Sequence, residues 1–442
     1  CIWRHYRYIL PHRIARFSSP LPDFVIRRYH APERKKVNTL PKLKRDLTVE
    51  EQLARGPMDL PFLMLTLLLV GIGLIMVFSA SYASAYYDIE QVSGHNPIYY
   101  VRRQSLFAVA GIAIMYLTSK INYQSLRWMS VFVLCGSFVL LILVKVPGLG
   151  VTVNGAERWI RFPGLPQFQP SEFAKLGVIL YFSARLSKRG NAAPKKRARQ
   201  DRGLIAFLKN VGLLELIPYA GILLVVIGLL YLEPHMSATI LILVVGAAIL
   251  FAAGISLGWF IAGGTVAAAL LAFIIVSTDY MTKRIALWRD PWTDPLGGGF
   301  QAIQSLYAIG SGGLLGLGLG NSRQKFLYLP EEHNDFVFSI VCEELGYIGA
   351  AIVLILFALL ILRGYWLAVH ARDRFGALLI VGVTTLLAFQ VFLNIGVVTN
   401  LFPVTGISLP FFSYGGTALM IQLLEMGIVL SVSRQIPAPR AG

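Results

Sequence analysis

The longest polar interruption in an otherwise apolar chain, residues 281–346, holds the residues best suited to chemistry. It carries the acids Asp290, Asp294, Glu331, Glu332 and Asp335, the bases Lys283, Arg284, Arg289, Arg323 and Lys325, and His333 among glycine runs. Asp294, in PWTDPLGGGFQ, is the best candidate for a general base. Pro295 and Gly297–Gly299 fix a non-helical backbone there and leave the carboxylate uncrowded. A base must first reach its proton, and partial desolvation then lifts its pKa toward the working range. Turn capping is the competing role for such an Asp, and Asp290 in RDPW fits it better.

Other ionisable residues fall inside apolar runs. Glu172 and Lys175 stand three apart, so they share one helix face, as a structural ion pair or as a substrate contact. Glu343, Glu344 and Glu425 raise the same question, and of the adjacent pair only one need face inward. His333 in PEEHND has no second ligand at a zinc-binding spacing, so no metal site is expected. GSGGLLGLGLGN (310–321) lacks the preceding strand and following helix of a nucleotide loop. Its glycines suit a re-entrant or closely packed backbone buried in protein. NIGVVTNLFPVTGISLPFFSYGGTA (394–418) reads as a broken-helix entry into the last apolar run, a feature that commonly lines a cavity.

These residues need a scaffold, and composition names its class. Of 442 residues 56% are hydrophobic and only 14% are charged, the balance of an all-α polytopic membrane protein. Apolar runs near 60–80, 104–119, 128–146, 171–186, 213–231, 236–253, 257–277, 336–362, 375–398 and 410–432 predict about ten transmembrane helices. The formal charge of +17 concentrates in the N-terminal tail and in residues 188–202, with seven bases against one acid. This is a positive-inside pattern, and it argues against nucleic acid as the partner. It puts both termini in the cytoplasm and loops 147–170, 278–335 and 399–409 outside. The outer bases Arg158, Arg161, Lys283, Arg284, Arg323 and Lys325 then run against the trend; a bound phosphate or pyrophosphate would explain them, as would salt bridges or lipid headgroups. Three cysteines form no disulfide framework. Residues 1–56 read as a basic cytoplasmic tail, disordered or the product of an uncertain gene start, and no secretory signal follows their basic residues. The chain begins with Cys1, which fits a fragment or that same uncertain start.

FSAS (78–81), ERWI (157–160), FQPSEFAKL (168–176), LEPHMSATI (232–240), DPWTDPLGGGFQAIQS, GLGNSRQKFLYLPEEHNDFVF, EELGYIG and PVTGISLPFFSYGGT (403–417) together resemble the SEDS family (shape, elongation, division and sporulation). GLGNSRQK and HNDF are similar to its FtsW/SpoVE branch more than to its RodA branch. The resemblance covers residues 57–442 as one transmembrane glycosyltransferase domain. It implies polymerisation of lipid II into glycan strands at the outer face of the bacterial cytoplasmic membrane, for septal wall synthesis in division or sporulation. The family's proposed catalytic acid falls on Asp294, which would deprotonate the acceptor's 4-hydroxyl for attack on the donor's anomeric carbon, displacing undecaprenyl pyrophosphate with inversion. Arg158, Gln169, Glu172, Lys175, Arg284, Gln301, Lys325, Glu331, His333, Ser413 and Gly415 lie in the matching motifs as candidate substrate-binding residues. The resemblance also implies a class B penicillin-binding protein and divisome regulators as partners. The resemblance fixes no cofactor, and a divalent cation (Mg or Mn) could help the pyrophosphate leave. Phe300 and His235 depart from the family pattern, where Tyr and Asp are common. A lipid II flippase and a non-catalytic scaffold for the penicillin-binding protein are the alternatives.

Overall fold

A computed structural model describes residues 56–87, 93–153, 156–161, 164, 166–188, 213–233, 235–265 and 279–436. The basic run at 189–202 and residues 1–55 of the expected tail lie outside the described residues. The elements are α1 (Leu60–Tyr87), α2 (Tyr99–Lys120), α3 (Leu126–Leu143), strands β1 (Gly150–Val153) and β2 (Ala156–Ile160), α4 (Pro170–Ser187), α5 (Leu213–Leu232), α6 (Met236–Ala252), α7 (Asp279–Arg289), α8 (Phe300–Ser311), α9 (Val337–Val369), α10 (Arg374–Val398) and α11 (Gly416–Ser433). Residues 257–265 are also helical. The protein is mostly helical, as the apolar runs predict. Among the described residues five helices are long and apolar enough to cross a membrane: α1, α3 with the turn before it, α9, α10 and α11. α2 and α4 carry more charge, and α5 and α6 are shorter apolar helices.

α10 and α11 form the interior, with 67% and 72% of their apolar windows buried, whereas α9 buries 28% and presents Ile348, Ile352 and Ile355 outward. α11 packs on α2 at close range because small residues stand at the crossing. A Cβ on Gly427 would sit 2.7 Å from the Met115 carbonyl, and one on Gly111 2.6 Å from Leu423. Polar clamps fix the helix ends. Asp59 caps α1 through the Phe62 amide (3.0 Å) and accepts two hydrogen bonds from Arg363 of α9. Asp373 caps α10 through the Gly376 amide and accepts from Tyr123, Gln124 and Arg127, tying the entry of α3 to α10.

Two features depart from the helix-and-loop expectation. Residues 150–153 and 156–160 form an antiparallel β1–β2 ladder with a register shift at Val151/Thr152. α9, expected as one span, is broken at Gly346 (φ 66°), and the glycine loop at 312–320 enters the break. The amides of Leu317 and Gly318 donate to the carbonyls of Glu343 and Glu344 (both 3.0 Å). The amides of Tyr347 and Ile348 donate to Gly313 and Leu314 (2.9 and 3.2 Å). These four groups of α9 would otherwise satisfy one another across a helical turn. The loop must be glycine there, since a Cβ on Gly316 would lie 2.2 Å from the Glu344 carbonyl. The close-packed backbone expected of 310–321 is what this insertion is.

Candidate functional site

A cavity of about 360 Å³ opens where α2, β2, the start of α4, the start of α6, two irregular segments, 331–335 and 406–415, and the first turn of α11 converge. α4 supplies its base. Pro170 at the first helical position lets the chain turn directly into α4, whose cap residue is Gln169. Residues 169, 172 and 175 then share a face. Lys175 donates to the Glu172 carboxylate at 2.7 Å, with Lys175 only 2% exposed, and both line the cavity. The two readings of this pair are therefore compatible: it is an ion pair, and it borders the cavity.

The irregular segments are stitched together by amides from the spans. Buried Gln104 of α2 donates to the Ser413 carbonyl (3.1 Å) and accepts from the Gly415 amide (3.2 Å). Asn394 of α10 donates to the Asp335 and Ile407 carbonyls, each at 2.7 Å. Ser413 donates to the Asn334 carbonyl and accepts from the Leu409 amide (both 2.7 Å), and the Tyr414 amide donates to the His333 carbonyl (2.8 Å). The His333 ring lies 4.8 Å from Tyr100, and Tyr414 meets Tyr100 edge-on at 4.9 Å. Glu331, with φ 57°, accepts from Asn334 at 2.6 Å.

Burial and neighbouring cations set the charge states. Asp335 is pushed up to about 7, first by desolvation and then by Glu331, against the opposing pull of Arg158 and His333. His235 is pushed down to about 3 by burial, with Arg158 and Lys175 adding to it, so its ring is neutral. Its Nε2 faces the Gln169 side-chain amide at 3.3 Å; with that amide donating, the ring proton sits on Nδ1. Arg103, Arg158 and Lys175 thus face the same space as Glu172, Glu331 and a carboxyl near its titration point.

Seven of the expected binding residues border this cavity together with Gly415: Arg158, Gln169, Glu172, Lys175, Glu331, His333 and Ser413. Three expected residues, Asp294, Gln301 and Lys325, stand elsewhere. Asp294 lies on the exposed turn after a short 3-10 segment, where one carboxylate oxygen accepts from the Gly298 amide at 2.8 Å. A Cβ on Gly297 would come within 2.4 Å of that carboxylate, so the glycines do leave it room. Asp290 caps the Trp292 amide (3.1 Å), the turn role expected of it. Gln301 donates to the Pro330 carbonyl (3.2 Å). Lys325 is buried and donates to Glu344 (2.9 Å), Ser79 (3.2 Å) and the Gly320 carbonyl (2.6 Å), which makes it an anchor of the glycine loop rather than a cavity cation. Arg284 belongs to α7, and its side chain lies outside the described residues.

Both Glu343 and Glu344 are buried, correcting the expectation that one would suffice. Glu343 accepts from Ser322 and the Arg323 amide, and Glu344 from Ser79 and Lys325, so adjacent acids hold the same loop from two directions. The sequence reading named Asp335 only among the acids of the polar stretch and passed over Gln104, Asn394 and Arg103. The available signal was a lone amide within an apolar run, as in RRQSLF and VFLNIG, since a buried amide needs a specific partner. Among the described residues no three His, Cys, Asp or Glu side chains gather as a metal site.

The comparisons agree with this architecture. A family model described as "Cell cycle protein", covering FtsW, RodA and SpoVE, matches residues 59–437. Stage V sporulation protein E of Bacillus subtilis is 39% identical over 376 residues, covering 85% of this chain and 97% of that protein. A probable peptidoglycan glycosyltransferase FtsW of Trichlorobacter lovleyi is 40% identical over 385 residues, 87% of this chain and 95% of its own. A chain from a structure on the coordination of polymerization and crosslinking by a peptidoglycan synthase complex superposes with a TM-score of 0.67 at 29% identity, over 85% of this chain and 98% of its own. The rod shape determining protein RodA of Thermus thermophilus does so with 0.59 at 28% identity, over 86% and 98%. A polar cavity walled by apolar helices, motifs held in register along nearly the whole chain and a RodA-like fold have one common source: the protein belongs to the FtsW/RodA/SpoVE family of multi-pass membrane proteins.

Proposed function

We propose that this chain is a peptidoglycan glycosyltransferase that polymerises lipid II at the outer face of the bacterial cytoplasmic membrane, with about ten spans, both termini cytoplasmic and the large loop 278–335 outside. The observation that carries the reading is the cavity itself. Three cations, Arg103, Arg158 and Lys175, line a polar space enclosed by membrane-type helices. That arrangement suits a pyrophosphate joined to a polyprenyl tail, because guanidinium and ammonium donors stabilise the anion that departs. One base is then sufficient. Asp294 takes the proton of the acceptor's 4-hydroxyl, the oxygen attacks the donor's anomeric carbon, and undecaprenyl pyrophosphate leaves with inversion. Gln169, Glu331, His333, Ser413 and Gly415 shape the sugar and phosphate path, and Arg284 and Gln301 act from the outer loop. A divalent cation would be held chiefly through the substrate's phosphates, in the manner of Mg²⁺ sites with few protein ligands. A class B penicillin-binding protein and divisome regulators are the expected partners, at the septum.

A specific observation favours a second assignment of the base. Asp335 borders the cavity and is pushed by burial up to about 7, the range a general base needs, whereas Asp294 stands on an exposed turn. Lipid II polymerisation by the purified chain with its cognate transpeptidase separates the two. Asp294→Asn is expected to abolish glycan chains while the folded complex persists, and Asp335→Asn to leave measurable chains. The opposite pattern transfers the base to Asp335. Full activity in both variants removes the general-base mechanism, and no activity even in the wild-type complex returns the field to the flippase and scaffold readings.

A further inference from the structure

A second cavity, of about 150 Å³, lies between the first turns of α3 and the last turns of α4, on the opposite end of α4 from the first cavity. Its lining includes Arg127, Arg185 and Lys188 with the hydroxyls of Ser130 and Tyr181, and it contains no carboxylate. We propose that this pocket binds the phosphodiester headgroup of an anionic phospholipid.

Among the described residues the charge is in excess of what the fold consumes. Arg127 has one partner, Asp373 at 3.3 Å, and packs over the Phe375 ring, while its buried Nε has no hydrogen-bond acceptor. Among the described residues no carboxylate pairs with Arg185 or Lys188. Helix electrostatics explain only part of the cluster. Arg185 and Lys188 sit at the C-terminal end of α4, where cations are favoured, but Arg127 stands in the first turn of α3, where the helix dipole disfavours them. An anion in the pocket offsets all three at once. Basic pockets between helices at a membrane face are recognised settings for lipid headgroups.

The surface beside the pocket points to a lipid rather than a soluble anion. Trp128, Val131 and Phe132 on α3 are 73%, 50% and 62% exposed, and the Trp128 and Phe132 rings lie 4.9 Å apart. Such a strip offers an acyl chain an apolar track running away from the cations. The headgroup is read by charge and the tail by this strip, so a free phosphate would use only half of the site.

Native mass spectrometry of the full chain, loaded with equal amounts of phosphatidylglycerol and phosphatidylcholine, tests the assignment. The wild type is expected to retain phosphatidylglycerol preferentially. Arg185→Gln/Lys188→Gln, which leaves the Arg127–Asp373 pair intact, should reduce that preference by about fivefold for each cation removed. Lys120→Gln, a base at the end of α2 outside the pocket, should leave it unchanged, as should Arg185→Lys/Lys188→Arg. Equal retention of the two lipids by the wild type overturns the proposal, and so does an unchanged preference in a double variant whose thermal unfolding matches wild type. Complete displacement of the lipid by inorganic phosphate also overturns it, because the pocket would then be a free-anion site.

Discussion

Asp335 and His235 border one cavity and are driven by burial in opposite senses of charge. The carboxyl of Asp335 rises from 3.8 to about 7, and the imidazole of His235 falls from 6.5 to about 3. Each shift favours the neutral form in the folded state, so the two act on stability in opposite pH directions. The Asp335 contribution is fully present below pH 3.8 and is lost as pH rises to about 7. The His235 contribution is fully present above pH 6.5 and is lost as pH falls to about 3. Asp335→Asn should therefore gain stability relative to wild type as pH is raised from about 4 to 7, an outcome read from thermal unfolding in detergent across that window. A constant difference would mean that the carboxyl ionises in the fold as freely as in the open chain. At this scale the sequence was informative about which residues matter and less so about what holds them. Glu172 and Lys175 declare themselves by type and spacing, and His333 by the motif it stands in. Gln104 and Asn394 do not, because their role depends on carbonyls 309 and 59 positions distant in the chain, which no local pattern specifies.

Among the elements, α9 shows how a break in a span is made stable. Lipid offers no hydrogen bonds, so a helix opened at Gly346 must find replacement partners inside the protein, and residues 313–318 provide them. Gly316, at φ 80°, cannot take a side chain without meeting the Glu344 carbonyl, whereas Gly313 has open space around its Cβ position. Gly316→Ala is expected to lower stability by several kcal/mol, in the range of a strained backbone plus lost buried hydrogen bonds, and Gly313→Ala by about 1–2 kcal/mol from its left-handed φ alone. Unfolding of the two variants in matched detergent measures the gap. The apolar runs made the helices legible because a span must be long and continuous to satisfy its own backbone. The β1–β2 ladder was missed even though Asn154–Gly155 between alternating residues is a strong hairpin signal. In a chain dominated by spans, a short polar stretch was read simply as a connection.

For the whole molecule, hydropathy carried most of the architecture and family resemblance carried the chemistry. What neither could supply was the joining of distant segments around one cavity, since convergence of α2, α4, α6 and two irregular stretches is a property of packing. The orientation of the large loop is open to a direct test. A cysteine at position 296, where Leu296 is 90% exposed, should react on intact cells with a membrane-impermeant maleimide, while buried Cys342 should stay unlabelled. Protection of position 296 until the cells are opened would reverse the orientation. The insertion into α9 also bears on how the chain is built. The glycine loop is synthesised before the helix that receives it, so its slot does not yet exist when it emerges. Until the loop docks, the Tyr347 and Ile348 amides have only the Glu343 and Glu344 carbonyls to bond within their own helix; the native arrangement replaces those two bonds with four to the loop, so the break in α9 depends on a segment made before it.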